Sequence, residues 1–424
     1  MIMCFLLFAL PLAHANGEHW LTGWAYRKSH LVYSAADSGA AYQINVTVYY
    51  GSGSDSSYAV YLNSRCRTDF GDVRWTDNDG ITLLGYYIWS KTDGNNAVFW
   101  IKVADSLSTQ NATIYIYYGK SVLTTSNGQN TFTQFDDFNS LDSWTLDRYN
   151  DTQTATIENG QLKLTHNVAA FCHIETSMTF DNIAVQVKLK RTDDYNESLW
   201  GMGLCLYFNQ YDYVAVKLIN LIGTYPRWFR WFKDVDGVLG TTYVWGHQWT
   251  NNTYTWLRIC LSPTKVYLGY SLDGFTWDNV VVWTRQATWT TPSLIIIGHG
   301  HEYKVGNAEN ADWDNNGTIG ESVVTWADDY LVRKFVDPEP RQGVWGSEEL
   351  PPPVPVTNTQ RWIGIAAPHI YAAIIVWSLA MIIGVGAVLA KGDIKDLPFV
   401  ILMGIALLIC LFITLVVMSP FLKL

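Results

Sequence analysis

Four groups of residues have the types and spacing to do chemistry. In Asp312-Trp-Asp314-Asn-Asn316-Gly317, oxygen side chains alternate ahead of a glycine, as at the start of a calcium loop. Position twelve of that loop is Val323, where a bidentate Glu should stand. The set therefore reads either as a partial calcium site through Asp312, Asp314 and Asn316 or as a solvated turn. Asp136-Asp137 and Asp328-Asp329 form a second oxygen set if the strands that carry them pair. Like charges placed side by side repel, and a calcium ion held by Asp137 and Asp329 would relieve that. The alternative is that one Asp of each pair faces water and the other caps a turn. His299 and His301, with Glu302 beside them, alternate as strand neighbours do, and could open a transition-metal site or stand as surface histidines in a turn. In Arg227-Trp-Phe-Arg-Trp-Phe232, Trp228, Arg230 and Phe232 share one strand face and Phe229 and Trp231 the other. Trp228 and Trp231 are thus candidates to stack on sugar rings, with core packing as the alternative.

The elements that must position these groups are strands. Tyr42–Tyr49, Ala112–Tyr117, Ile183–Leu189, Tyr213–Ile219, Lys265–Tyr270 and Ser293–Ile297 place β-branched and aromatic residues on a period of two. Asn78-Asp79-Gly80, Asp93-Gly94, Asn159-Gly160, Asp236-Gly237 and Asp273-Gly274 punctuate them as turns. Many short strands at near-regular spacing predict antiparallel sandwiches. A polar stretch from Ser126 to Thr133 divides them, giving β-sandwich domains over 16–133 and 134–350.

The chain ends carry a different pattern. Ile2–Leu12 followed by Ala13-His14-Ala15 reads as a signal peptide over 1–15. Pro351-Pro-Pro-Val-Pro355 opens an extended stalk over 351–369. Two apolar runs, 370–389 and 397–418, are each long enough to cross a bilayer and share only the connector 390–396, which predicts a two-helix transmembrane hairpin with a cytoplasmic loop. The expected protein is thus all-β outside the cell membrane, with the hairpin as its anchor. The formal net charge is −10, and setting aside the four basic and two acidic residues beyond position 350 leaves −12 for the rest. Such a surface repels nucleic acid and anionic lipid. Sequons at Asn45, Asn111, Asn150, Asn196, Asn251 and Asn316 all precede the apolar runs and would be glycosylation sites in an exported region. Cys66, Cys172, Cys205 and Cys260 lack zinc-site spacing; they are buried small hydrophobes or up to two disulfides, with Cys205 and Cys260 the favoured pair.

Gly23-Trp-Ala-Tyr-Arg-Lys28, Asp72-Val-Arg-Trp-Thr-Asp77 through Gly85, and Ile114-Tyr-Ile-Tyr-Tyr-Gly119 occur in that order. Over about residues 20–133 this set resembles an uncharacterised prokaryotic family of secreted domains, a domain of unknown function that often precedes a concanavalin-like sandwich. From Phe135-Asp-Asp-Phe138 to Trp326–Lys334 and Trp345-Gly346, the chain is similar to a concanavalin A-like, laminin-G-type jelly roll. That resemblance implies a pairing of first and last strands, and sometimes a structural calcium near them. It also implies extracellular binding, of a glycan or of an envelope protein. A glycanase on this sandwich would show a Glu-x-Asp-x-(x)-Glu strand, and no such triplet occurs between Phe135 and Trp345; the nearest acids, Asp193, Asp194 and Glu197, sit in a turn-like stretch. A cell-surface glycan-binding protein is therefore the leading expectation, with a tethered glycan-cleaving enzyme and a structural envelope subunit as alternatives.

Overall fold

The structure, a computed structural model, describes residues 19–352 apart from 149–150, 168–171, 193–201, 210, 221–226, 236–237 and 300–321, together with Ile383, Ala387, Ala390 and Pro398. The first strands are β1 (Tyr26–Tyr33), β2 (Tyr42–Tyr49), β3 (Ala59–Tyr61), β4 (Arg74–Thr76), β5 (Tyr86–Thr92), β6 (Asn96–Val103) and β7 (Ala112–Tyr118). A single turn, α1 (Gly128–Thr131), follows, capped by Asn127, whose Oδ1 accepts from the Asn130 N–H at 2.9 Å. Next come β8 (Gln134–Asp136), β9 (Thr145–Arg148), β10 (Thr154–Glu158), β11 (Gln161–Asn167), β12 (Cys172–Ser177), β13 (Ile183–Arg191), β14 (Met202–Asn209) and β15 (Asp212–Asn220). The last are β16 (Arg227–Val235), β17 (Val238–Gln248), β18 (Thr255–Leu261), β19 (Lys265–Ser271), β20 (Asp278–Thr284), β21 (Leu294–His299), β22 (Ser322–Lys334) and β23 (Arg341–Trp345).

Two sandwiches result, and they share one compact unit. The first packs the sheet β3-β2-β6-β5 on the sheet β23-β1-β7-β4. The second packs the seven strands β17-β16-β15-β14-β21-β12-β9 on the eight-stranded sheet β10-β11-β22-β13-β18-β19-β20, to which β8 adds through β22. The period of two explains each core. In β2, Ile44, Val46 and Val48 are buried between half-buried Asn45 and Thr47; in β13, Ile183, Val185, Val187 and Leu189 enter the core. The expected pairing of first and last strands of the second sandwich is present, with Phe135 opposite Leu331 and Asp136 opposite Tyr330.

β23 does not join the second sandwich, although the span expected for that domain, 134–350, contains it. It pairs instead with β1, placing Trp345 opposite His30 and Gln342 opposite Val32. The rings of His30 and Trp345 stack at 3.9 Å, and His30 Nε2 lies 2.7 Å from Gln342 Oε1. The second sandwich is thereby an insertion between β7 and β23 of the first. Contact between the two explains β18, in which every residue is buried. Its inward residues fill the core, while Trp256 on its outer face meets Trp89 of β5 at 4.6 Å. Trp100, Phe132 and Leu331 make a small apolar cluster at the same junction, with Tyr87, Trp89 and Phe135 packed against it.

Three expectations are corrected. Among the described residues no helix is long and apolar enough to cross a membrane, so the two-helix transmembrane hairpin is withdrawn from the fold, which is all-β apart from α1 and four isolated helical residues. Its segments 370–389 and 397–418 lie outside the described residues but for Ile383, Ala387 and Pro398. No disulfide joins Cys205 to Cys260, and Cys66 and Cys172 are likewise not disulfide-bonded. Cys205 packs on the outer face of the seven-stranded sheet and Cys260 on the outer face of the other, with the whole core between them. Asn45 is half-buried within β2 and lines the crevice between the sandwiches, which leaves no room for a bulky glycan. Asn111 is exposed and Asn251 half-buried; Asn150, Asn196 and Asn316 lie outside the described residues, as does the signal segment.

Candidate functional site

A β-bulge shapes the outer face of the eight-stranded sheet. Val187 of β13 faces Tyr330 of β22, and Lys188 faces Asp328, so Asp329 is the extra residue. Its φ of 46° is a left-handed conformation that costs a non-glycine about 1–2 kcal/mol, least for Asp and Asn. The bulge lets both neighbouring carboxylates reach one ammonium: Lys188 Nζ donates to Asp328 Oδ2 at 3.1 Å and to Asp329 Oδ2 at 3.3 Å. Gln161 Nε2 also donates to Asp328 Oδ2, at 3.3 Å.

Of the four acids expected to gather, Asp328 and Asp329 share one ammonium, and Asp137 reaches Asp329 through its charge alone. Asp136 is committed to its own loop, accepting from the Phe138 N–H at 2.7 Å and from Trp144 Nε1 at 2.7 Å. Asp137 is exposed, and its charge adds to the field on Asp329. The cation among these acids is Lys188, a residue the calcium reading did not contain. Burial raises the Asp329 carboxyl above its usual range, Asp328 raises it further, and Lys188 only partly opposes them. Burial works against the Lys188 ammonium, yet Asp329 and Asp328 outweigh it and hold it above the usual lysine value. Asp312, Asp314, Asn316 and His301 lie outside the described residues, and so does the side chain of His299.

The sign of the Asp329 shift gives a prediction. A carboxyl raised in the folded state penalises folding while ionised, and the penalty fades as pH falls through its folded value. Asp329→Asn is therefore expected to raise stability at pH 7, since Asn also tolerates positive φ. The gain should shrink as pH falls toward the ordinary 3.8. Urea unfolding at pH 7 and near pH 4 reads both; a loss at pH 7 would contradict the assignment.

An aromatic shelf continues from the bulge along the same face. Lys188 Nζ lies 4.8 Å from the Tyr254 ring centre and Lys190 Nζ 4.7 Å from it. Lys190 and Lys163 also flank Trp326, each at 5.4 Å. Tyr254 and Trp326 are half-buried. Beyond the bulge the first sandwich closes over the sheet and leaves a crevice of ≈ 200 Å³ lined by Trp100, Gln186, Arg258, Trp277 and Arg333 among others. The Gln186 carboxamide is buried there without a hydrogen-bond partner among the described residues.

The tryptophans expected at a sugar site are placed differently. Trp231 is fully buried in the main core, stacked 6.0 Å from Phe229, which itself lies 4.4 Å from Tyr270. It is thereby corrected from a ligand-binding residue to a core residue, because the 229/231 face of β16 is the inward one. Trp228 stands on β16 opposite Ile219, and its side chain lies outside the described set.

One cluster was not anticipated. Asp147, His173 and Glu175 gather on the outer face of the seven-stranded sheet, their ligand atoms all within 4.8 Å of one another. Asp147 of β9 lies directly opposite His173 of β12, and Glu175 is two residues along β12 on the same face. His173-Ile-Glu175 has the same alternate spacing that drew attention to His299 and His301, and was the available signal.

The fold defines the chain as a double β-sandwich protein with one sandwich inserted in the other. Residues 69–147 match the domain of unknown function DUF2341, a segment that runs from the Asp72 motif to Asp147. No curated protein matches the sequence. The GH43 BlXynB protein from Bacillus licheniformis is similar at 14% identity over 65% of this chain and 49% of that one, with a TM-score of 0.35. A functionally unknown protein from Saccharomyces cerevisiae is similar at 15% identity over 46% of this chain and 98% of its own, with a TM-score of 0.32. A Bacillus licheniformis β-glucanase is similar at 12% identity over 49% and 100%, with a TM-score of 0.33. This chain thus spans about half the length of BlXynB. At these identities and scores the likenesses carry no activity over to it.

Proposed function

We propose that this protein binds a glycan on the outer face of its eight-stranded sheet. The observation that carries the reading is the shelf of half-buried Tyr254 and Trp326, bordered by Lys163, Lys188, Lys190 and Asp328. Sugar rings present flat C–H surfaces that stack on aromatic faces, while ammonium and carboxylate groups at the rim select hydroxyl geometry. A strand-built shelf holds these side chains in fixed register, so little ordering is needed on binding. A single site of this kind is weak, and repeated copies on a polymer would raise retention by avidity.

Electrophoresis of the full chain through gels containing a panel of polysaccharides tests this. Retardation by at least one polymer is expected, with Trp326→Ala lowering affinity about tenfold, or ~1.4 kcal/mol. Absence of retardation across the panel would sink the reading. Shortening of the polymer would replace recognition with cleavage.

A further inference from the structure

We propose that Asp147, His173 and Glu175 form a binding site for one divalent transition-metal ion of the zinc class, on the sheet face opposite the shelf. His173 Nε2 lies 3.7 Å from Asp147 Oδ2 and 3.8 Å from Glu175 Oε2. With the third side no longer than 4.8 Å, an ion centred among the three atoms is about 2.2–2.4 Å from each, a few tenths of an ångström beyond zinc–ligand bond lengths.

Sheet register fixes the donors. β9 and β12 are hydrogen-bonded neighbours that place Asp147 against His173, and the pleat returns Glu175 to the same face. On the other side of His173, β21 presents Gly298. A Cβ at Gly298 would lie 2.5 Å from both the Cα and the Cβ of His173, and its φ is 146°, so no side chain is accommodated there. The imidazole is held close between a glycine backbone and a carboxylate.

The donor set chooses the ion. One imidazole nitrogen with two carboxylate oxygens suits zinc and its first-row neighbours, whereas calcium and magnesium take all-oxygen shells. His173 is 2% exposed and Glu175 13%, while Asp147 opens to solvent, so a divalent charge placed among them would offset the repulsion between a screened and a poorly solvated carboxylate. Three ligands among the described residues leave at least one coordination position for a further donor.

The untagged full chain, stripped with a chelator and dialysed, is titrated with Zn²⁺ by calorimetry and with Co²⁺ by visible absorption. One ion per chain is expected, with affinity falling at least tenfold in Asp147→Asn and in Glu175→Gln while the circular dichroism is unchanged. Asp147 is 39% exposed on the edge strand β9, so its near-isosteric variant keeps the fold and remains informative if the Glu175 variant does not. Failure to bind either ion overturns the proposal. So does binding that survives both substitutions, or that disappears only in the joint variant His299→Ala with His301→Ala.

Discussion

Trp231→Ala is expected to destabilise the protein by about 3–5 kcal/mol, the cost of emptying a fully buried indole from a packed core. Trp231 touches the main cluster of the second sandwich, where Phe229 and Tyr270 continue the aromatic stack. Its Nε1 has no hydrogen-bond partner among the described residues, so the indole contributes shape and apolar area rather than polarity. Trp231→Phe should accordingly cost far less than Trp231→Ala. Urea unfolding measures both, and gel retardation by polysaccharide should be the same for wild type and the phenylalanine variant. Equal losses in the two variants would point away from cavity formation.

Glu339→Ala is expected to cost about 2–3 kcal/mol and to loosen the junction between the sandwiches. Glu339 holds Arg333 in a two-pronged pair, with Nη1 donating to Oε2 at 2.6 Å and Nη2 to Oε1 at 3.0 Å. Tyr42 of the first sandwich donates to the same carboxylate at 2.8 Å. The Arg333 side chain is 4% exposed and cannot recover water when its partner is removed, whereas Glu339, at 37%, keeps some, which places the figure below the range for fully enclosed pairs. Burial alone would raise the Glu339 carboxyl, but Arg333 holds it below its ordinary 4.5. A depressed carboxyl stabilises the fold above its unfolded value and loses that contribution as pH falls through the folded one. The difference between wild type and Glu339→Gln in urea should therefore be full at pH 7 and shrink below about pH 4.5. A difference independent of pH would remove the ion pair as its cause.

The sequence showed which segments are strands because alternation is local, and β2 and β13 bury the residues their period assigns. It also brought Asp136 and Asp137 toward Asp328 and Asp329, since the resemblance implied that pairing. What it could not show was Lys188, 140 residues before Asp328 and central in the sheet order. Nor does a period of two say which face is inward: Trp228 and Trp231 were equivalent until the core took the 229/231 side. In β18, burial on both faces erased the distinction, because the first sandwich covers what would otherwise be a solvent face. The Asp147–His173–Glu175 cluster joins strands 26 residues apart whose neighbourhood only the sheet order defines.

The return of β23 to β1 determines how the molecule would bear tension. A pull applied between the residues before β1 and those after β23 reaches two adjacent antiparallel strands first, and does not pass through the inserted sandwich. The β1–β23 ladder, locked by Arg27 and Glu349 through paired backbone hydrogen bonds of 3.2 and 2.8 Å, is the element that would yield. The shelf and the Asp147–His173–Glu175 cluster would keep their geometry until it did.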